Sequence, residues 1–417
     1  MHYVVVGAGP AGVNAVETLR SLDPTGSITL LGGEAEAAYS RMAIPYLLSG
    51  DIDEAGTRLR HAPDHFSRLG IDCRHDRVTD VDSNAHRVHL ASGGWLDFDR
   101  LLLATGSRPI RPPIPGLDRP GVHHCWTLED ARHIQRLAGP KRQVVLIGAG
   151  FIGCIILEAL VARGVCLTVL EMGEQMVPRM LDKTAGELLA RWCRSKGVAV
   201  HTGVRVTEIG ARSAGPSLEV VLDLGEPLAA DMVVIAAGVR PNTDFLDGSP
   251  VTVDAGILVD HNLRTSAEDI YAAGDCCQGL DWSSGQRSVH AIQPTATEHG
   301  RVAALNMAGI STPYAGSLNM NVLDTLGLIS TSYGLWMGHP GGDAAVRLKK
   351  DAYRYLKLQF AEDRLVGAIT LGHTDSVGVL RGMIQSRIRL GTWKDRLLDD
   401  PSRYLEAYVA RTQMPQQ

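Results

Sequence analysis

One loop pattern occurs twice in this chain, each time between an apolar run and a helical stretch. Tyr3 to Val6 lead into Gly7, Gly9 and Gly12, and Val13 to Leu19 follow; Val144 to Ile147 lead into Gly148, Gly150 and Gly153, and Ile155 to Arg163 follow. In this strand, turn and helix order the first glycine permits a tight turn, the second lets backbone approach a pyrophosphate, and the third lets helix pack on strand. The helix N-terminus then faces the phosphates. The loop residues Gly9-Pro10-Ala11-Gly12 and Gly150-Phe151-Ile152-Gly153 are therefore candidate phosphate contacts, and two loops imply two dinucleotide sites.

A carboxylate belongs after the next strand of each unit, to accept hydrogen bonds from a ribose. Ser27 to Leu31 reads as the first such strand, and Glu34 lies 22 residues beyond Gly12. Leu167 to Leu170 reads as the second, ending in Glu171, 18 residues beyond Gly153. A carboxylate at Glu171 repels a 2′-phosphate, which favours NADH over NADPH, unless Arg179 turns toward that ribose.

Other stretches bear on the same sites. Tyr39 to Tyr46 is expected to lie across a bound cofactor, with Arg41 neutralising phosphate. Residues 52–100 read as an excursion, with a helix near Ala62 to Leu69 and short strands around Val78 to Val81 and Arg87 to Leu90. His61 and His65 flank Pro63, which disfavours a helix interior and with it a metal pair. A buried strand from Leu101 to Ala104 runs into Thr105-Gly106, and the prolines at 109, 112, 113 and 115 suit a crossing between domains. Met232 to Ala236 is another buried strand, leading to Gly238-Val-Arg-Pro-Asn242. After Ala273-Gly274, Asp275 is placed to accept from a polyol, ahead of a helix from Thr295 to Met307.

Composition removes several classes. A net charge of -5 offers no overall basic excess to release counterions from nucleic acid. Seven cysteines without a CxxC point to a reducing compartment, and the chain enters its first strand at once, so the expectation is a cytoplasmic protein. Adjacent Cys276 and Cys277 read as packing rather than a redox pair. Val144 to Ala162 is apolar enough to suggest a membrane span, but its glycines and Glu158 favour a buried strand and helix.

Together the two loops, Ala104-Thr105-Gly106, Gly238 to Asn242 and Thr265 to Asp275 resemble the FAD-dependent pyridine nucleotide-disulfide oxidoreductases. Tyr39-Ser-Arg41 and the stretch from Tyr355 to Gly372 are similar to the branch holding rubredoxin reductases, ferredoxin reductases and the flavin module of NADH-dependent nitrite reductases. The resemblance implies two doubly wound, Rossmann-like α/β domains of the glutathione-reductase type plus a C-terminal α+β interface domain. FAD would occupy a discontinuous domain of residues 1–115 and 250–315, NADH a domain of 116–249, and the interface domain would span 316–417. Asp275 would bind the ribityl chain, and the helix from Thr295 would aim its N-terminus at the flavin.

Two positions depart from that family. Met42 stands where thiol-active relatives carry cysteine, and Ile155 where many carry glutamate near the nicotinamide, with Glu158 one turn on. Without a thiol the implied chemistry is flavin-centred: hydride from NADH to flavin N5, then electrons to a redox-carrier protein or other acceptor. The alternatives are an NADH oxidase or small-molecule reductase, or a flavin-bearing subunit of a larger complex; a homodimer is also open. The basic stretch Arg381 to Arg396 suits docking of an acidic carrier or a solvated helix face.

Overall fold

The computed structural model describes residues 1–213 and 217–413, which form two compact units: Met1–Pro109 with Val239–Ser317, and Ile110–Gly238 with Leu318–Gln417.

In the first unit, five parallel strands stand in the order Ile270–Ala272, Arg100–Leu103, His2–Val6, Ser27–Gly32, Ile71–His75. The central strands are buried on both faces, which is why they read as unbroken apolar runs: Val4, Val5 and Leu101 to Leu103 have no exposed surface. Helix Pro10–Leu22 buries Ala15, Val16 and Leu19 against the sheet. Helix Gln293–Met307 crosses it closely, because Gly300 leaves room for the Ala11 carbonyl, only 2.1 Å from where a Cβ would sit. That helix begins two residues before the expected Thr295, since Pro294 needs no partner for an amide hydrogen in a first turn.

The excursion corrects two expectations. The helix near Ala62 to Leu69 shrinks to His65–Arg68, because Pro63 cannot sit inside it. Ile71–His75, which carries no alternation, is the edge strand of the main sheet with only Ile71 buried. Glu17 gathers the neighbourhood, accepting from Arg60 at 2.6 and 2.5 Å and pairing with His65 Nε2 at 2.7 Å.

In the second unit another five-stranded parallel sheet runs Ala199–Thr202, Cys166–Glu171, Gln143–Ile147, Met232–Ile235, Val122–His124. The stretch from Val144 to Ala162 is a strand end and the helix Phe151–Ala162, and among the described residues no helix is long and apolar enough to cross a membrane. Thr127 and Asp130 form a capping box at the start of helix Leu128–Leu137. A C-terminal antiparallel sheet belongs to the same unit, in the order Met320–Thr325, Leu328–Gly334, Arg364–Leu371, Arg354–Ala361, Asp343–Lys349.

Candidate functional site

Both glycine loops are built alike. Gly7 has φ +118°, and a Cβ there would stand 2.0 Å from the Ala104 carbonyl oxygen; Gly148 has φ +103°, with the Ala236 carbonyl oxygen at 2.4 Å. A Cβ on Gly12 would meet the Gly7 carbonyl oxygen at 1.8 Å, and one on Gly153 the Gly148 carbonyl oxygen at 2.1 Å. The outer glycines are thus demanded by the chain's own backbone. At Gly9 and Gly150 nothing lies within 4 Å of a Cβ, so these middle positions open onto space. Each is also the N-cap of its helix, Pro10–Leu22 or Phe151–Ala162, with no side-chain cap and no acidic residue in the first turn. Free first-turn N–H groups beside an open glycine suit a pyrophosphate.

Around the first loop, Glu34 is engaged. Its carboxylate accepts from Arg41 at 2.5 Å and from the Tyr39 hydroxyl at 2.7 Å, while Arg41 also donates to that hydroxyl at 3.2 Å. Arg41, expected on phosphate, therefore rests on Glu34, both about one-third exposed. Ala104 ends the strand, and Thr105 is stapled to the returning chain: its hydroxyl donates to the Asn242 carbonyl at 2.8 Å, and the Asn242 amide donates back to the Thr105 carbonyl at 2.8 Å. Gly106 takes φ +66°, and strands Ser107–Pro109 and Val239–Pro241 pair antiparallel beyond it.

Asp275 follows Gly274, whose φ of +77° turns the chain after strand Ile270–Ala272. Burial pushes its carboxyl pKa up, opposed by a hydrogen bond from Ser107 at 3.1 Å and by the charge of Arg41. An acceptor with spare lone pairs in that setting suits hydroxyl donors of a polyol. Thr295 is buried, and its hydroxyl donates to Ser317 at 3.1 Å, so its side chain is structural while the helix start remains the polar feature. His290 and His299 each bury an Nε2 that makes no hydrogen bond, that of His290 lying 4.0 Å from an Asp281 carboxylate oxygen. No sequence signal distinguishes these two from other histidines.

Around the second loop, Glu171 accepts the Ala149 N–H at 2.7 Å and the Gly173 N–H at 2.7 Å, which aims the carboxylate at the loop. Phe151, Ile152 and Ile155 are half-buried on one face of their helix, with Glu158 further along it. Gly238, at φ +99°, follows strand Met232–Ile235, and its carbonyl accepts the Ile110 N–H at 2.9 Å.

Burial disfavours the thiolate at most of the cysteines. All seven cysteines are free; Cys125, Cys154, Cys193, Cys276 and Cys277 are buried. Burial pushes Cys125 and Cys193 up to about 12 and raises Cys154, Cys276 and Cys277. Met42 is half-exposed. Among the described residues no group of three or more His, Cys, Asp or Glu is arranged to hold a metal ion.

The basic stretch is not one helix face. Arg381 lies on Val377–Gln385, Arg387 and Arg389 on the following loop, and Lys394 and Arg396 on Trp393–Asp399. Lys394 pairs with Asp343 at 2.7 Å, and Arg396 lies 4.7 Å over the Trp393 ring. Trp336 is buried.

Residues 1–300 match the family described as pyridine nucleotide-disulphide oxidoreductase. The chain is 33% identical over 403 residues to the NADH-dependent phenylglyoxylate dehydrogenase subunit epsilon of Aromatoleum evansii, covering 96% of this chain and 95% of that one. It is 27% identical to the rubredoxin-NAD(+) reductase of Pseudomonas putida, covering 92% and 99%. Its fold matches that in a covalent putidaredoxin reductase–putidaredoxin complex with a TM-score of 0.89 at 24% identity, covering 99% of both chains.

Proposed function

The chain belongs to the pyridine nucleotide-disulphide oxidoreductase family, and on that premise we propose that it is an NADH-dependent reductase of a redox-carrier protein, working without a disulfide of its own. Bound FAD supplies the centre that takes hydride from NADH and releases electrons to the acceptor.

The residues have distinct tasks. Gly7, Gly9, Pro10, Ala11 and Gly12 cradle the FAD pyrophosphate, and Glu34 takes its adenosine ribose once Arg41 turns from carboxylate to phosphate. Asp275 accepts from the ribityl hydroxyls, Ala104-Thr105-Gly106 and Gly274 bring backbone close, and the start of helix Gln293–Met307, with Thr295 in its first turn, faces the flavin with positive dipole. Gly148, Gly150, Phe151, Ile152, Gly153 and Gly238 shape the NADH site, where Glu171 selects against a 2′-phosphate. FAD is assigned to residues 1–115 and 250–315, NADH to 116–249, and the interface role to 316–417. Seven free cysteines support a reducing compartment, the cytoplasm.

The observation that carries this reading is the repeated loop whose outer glycines are forced by backbone and whose middle glycine is open. A relative named as a rubredoxin-NAD(+) reductase over nearly its whole length supports a small carrier as acceptor. A second reading, one subunit of a larger redox enzyme, is favoured by the relative named as subunit epsilon. An anaerobic titration tests the core: NADH should bleach the flavin band at lower concentration than NADPH, and no bleaching by either nucleotide defeats the proposal. Turnover with added rubredoxin supports a carrier reductase, rapid aerobic NADH use without any carrier makes it an oxidase, and co-purifying subunits with poor turnover alone favour the complex.

A further inference from the structure

We propose that the C-terminal sheet holds the second glycine loop in its binding shape through Asp182, with Tyr355 and Lys357 as positioning residues for the dinucleotide. This rests on reading that loop as the NADH site.

The path is short and continuous. Ala149, between Gly148 and Gly150, is held from both sides: its N–H donates to Glu171 at 2.7 Å, and its carbonyl accepts the Val177 N–H at 2.8 Å. Val177 is buried and makes this bond at φ +50°, a backbone conformation that a β-branched residue keeps only where its surroundings enforce it. The enforcement is visible. Met180 and Leu181 both donate to the Val177 carbonyl at 2.9 Å, and the Gln175 side chain donates to the Leu181 carbonyl at 2.7 Å. Gly186, on helix Lys183–Ser195, lets the Met176 carbonyl approach to 2.7 Å from where a Cβ would be.

Asp182 ends that segment and anchors it. One carboxylate oxygen caps the helix by accepting the Ala185 N–H at 3.1 Å; the other accepts the Tyr355 hydroxyl at 2.7 Å and the Lys357 ammonium at 3.1 Å. Tyr355 and Lys357 stand two apart on strand Arg354–Ala361, hence on one face of the C-terminal sheet. The Lys357 and Asp182 side chains are 18% and 19% exposed, so solvent screens their attraction only partly. The other end of the helix is fixed to the same sheet region. Trp192 Nε1 donates to the carbonyls of Thr325 and Leu326 at 3.1 and 3.2 Å, and Arg191 donates to the Lys350 carbonyl at 2.7 Å while lying 4.6 Å over the Tyr353 ring. Helix and sheet are thus tied at both ends of the helix, and Asp182 joins the Val177 segment to both. Releasing Asp182 lets Val177 relax toward an extended backbone and withdraw its N–H from Ala149.

The test uses the full, FAD-loaded chain, with NAD+ binding measured by calorimetry and NADH turnover measured beside it. Asp182→Ser keeps a helix cap but cannot reach Tyr355 and Lys357; Tyr355→Phe and Lys357→Met remove one arm each. Each should raise the Kd for NAD+ and the KM for NADH roughly three- to tenfold while leaving kcat at saturation and flavin content unchanged. Lys357→Arg should keep binding near wild type. Tyr355→Phe should add little on the Asp182→Ser background, because the two act through one contact. Unchanged Kd in all three variants, or fully additive losses, overturns the proposal. Glu171→Ala, run in parallel, separates the two ideas: if it weakens NAD+ binding and the others do not, the latch falls and the site stands; if it too does nothing, the site reading falls.

Discussion

The Nδ1 atom of His299 accepts the Gly274 N–H at 3.3 Å, so an imidazole that must be neutral on that side ties the residue before Asp275 to helix Gln293–Met307. Burial, with the nearby charge of His290, lowers the His299 pKa to about 4, whereas the unfolded chain titrates near 6.5. Between these values the unfolded state binds a proton that the fold refuses, so stability falls as pH drops from 6.5 toward about 4. His299→Gln keeps an acceptor for Gly274 and removes this share. Urea unfolding across that window should show a shallower slope in the variant, and an unaltered slope contradicts the assignment.

The outer and middle glycines of each loop should fail differently. Gly153→Ala forces a Cβ against the Gly148 carbonyl and should cost roughly 1–3 kcal/mol of stability. Gly150 has φ −74° and an open Cβ direction, so Gly150→Ala should stay within about 0.5 kcal/mol of wild type. The same substitution should raise the Kd for NADH roughly tenfold or more, because its Cβ fills the space through which the pyrophosphate approaches the backbone. Unfolding midpoints paired with nucleotide titrations distinguish the two.

Nucleotide choice should respond to Glu171 and its exposed neighbour Met172. Removing the carboxylate in Glu171→Ala should lower kcat/KM with NADH roughly tenfold, the scale of one good hydrogen bond to a charged group. Adding Met172→Arg supplies a cation for a 2′-phosphate and should raise kcat/KM with NADPH. Steady-state kinetics with both nucleotides read this directly; a double variant still preferring NADH as strongly as wild type counts against Glu171.

Thiol reagents should spare activity. Under native conditions only Cys73 and Cys166 are exposed, so mass spectrometry after alkylation should find label on these two and not on Cys276 or Cys277. Carrier-dependent turnover of the labelled protein should match the unlabelled one. Inactivation that follows labelling one-for-one points instead to a thiol in the electron path.

The strands and helices that matter most were legible because their signals are local. Val4 to Val6 and Leu101 to Leu103 read as buried strands from their own composition, and each glycine loop carries its neighbours' requirements within six residues. The edge strand Ile71–His75 was not legible, since four of its five residues face solvent and no period shows. The early start of helix Gln293–Met307 is not legible in the sequence, because a proline inside a helical pattern reads as a break and here Pro294 occupies the first turn.

Sequence by itself determined the paired loops, the acids that follow them and the lack of a thiol at Met42, because glycine, carboxylate and sulfur each act through chemistry that spacing along the chain already constrains. Tertiary structure alone decided which partner each side chain meets: Arg41 turned onto Glu34, Glu171 onto the Ala149 amide, and Asp182 onto Tyr355 and Lys357, more than 170 positions away. Hydrogen bonds are settled by distances of about 3 Å in space, and only the folded backbone brings residues so far apart in the chain to that distance.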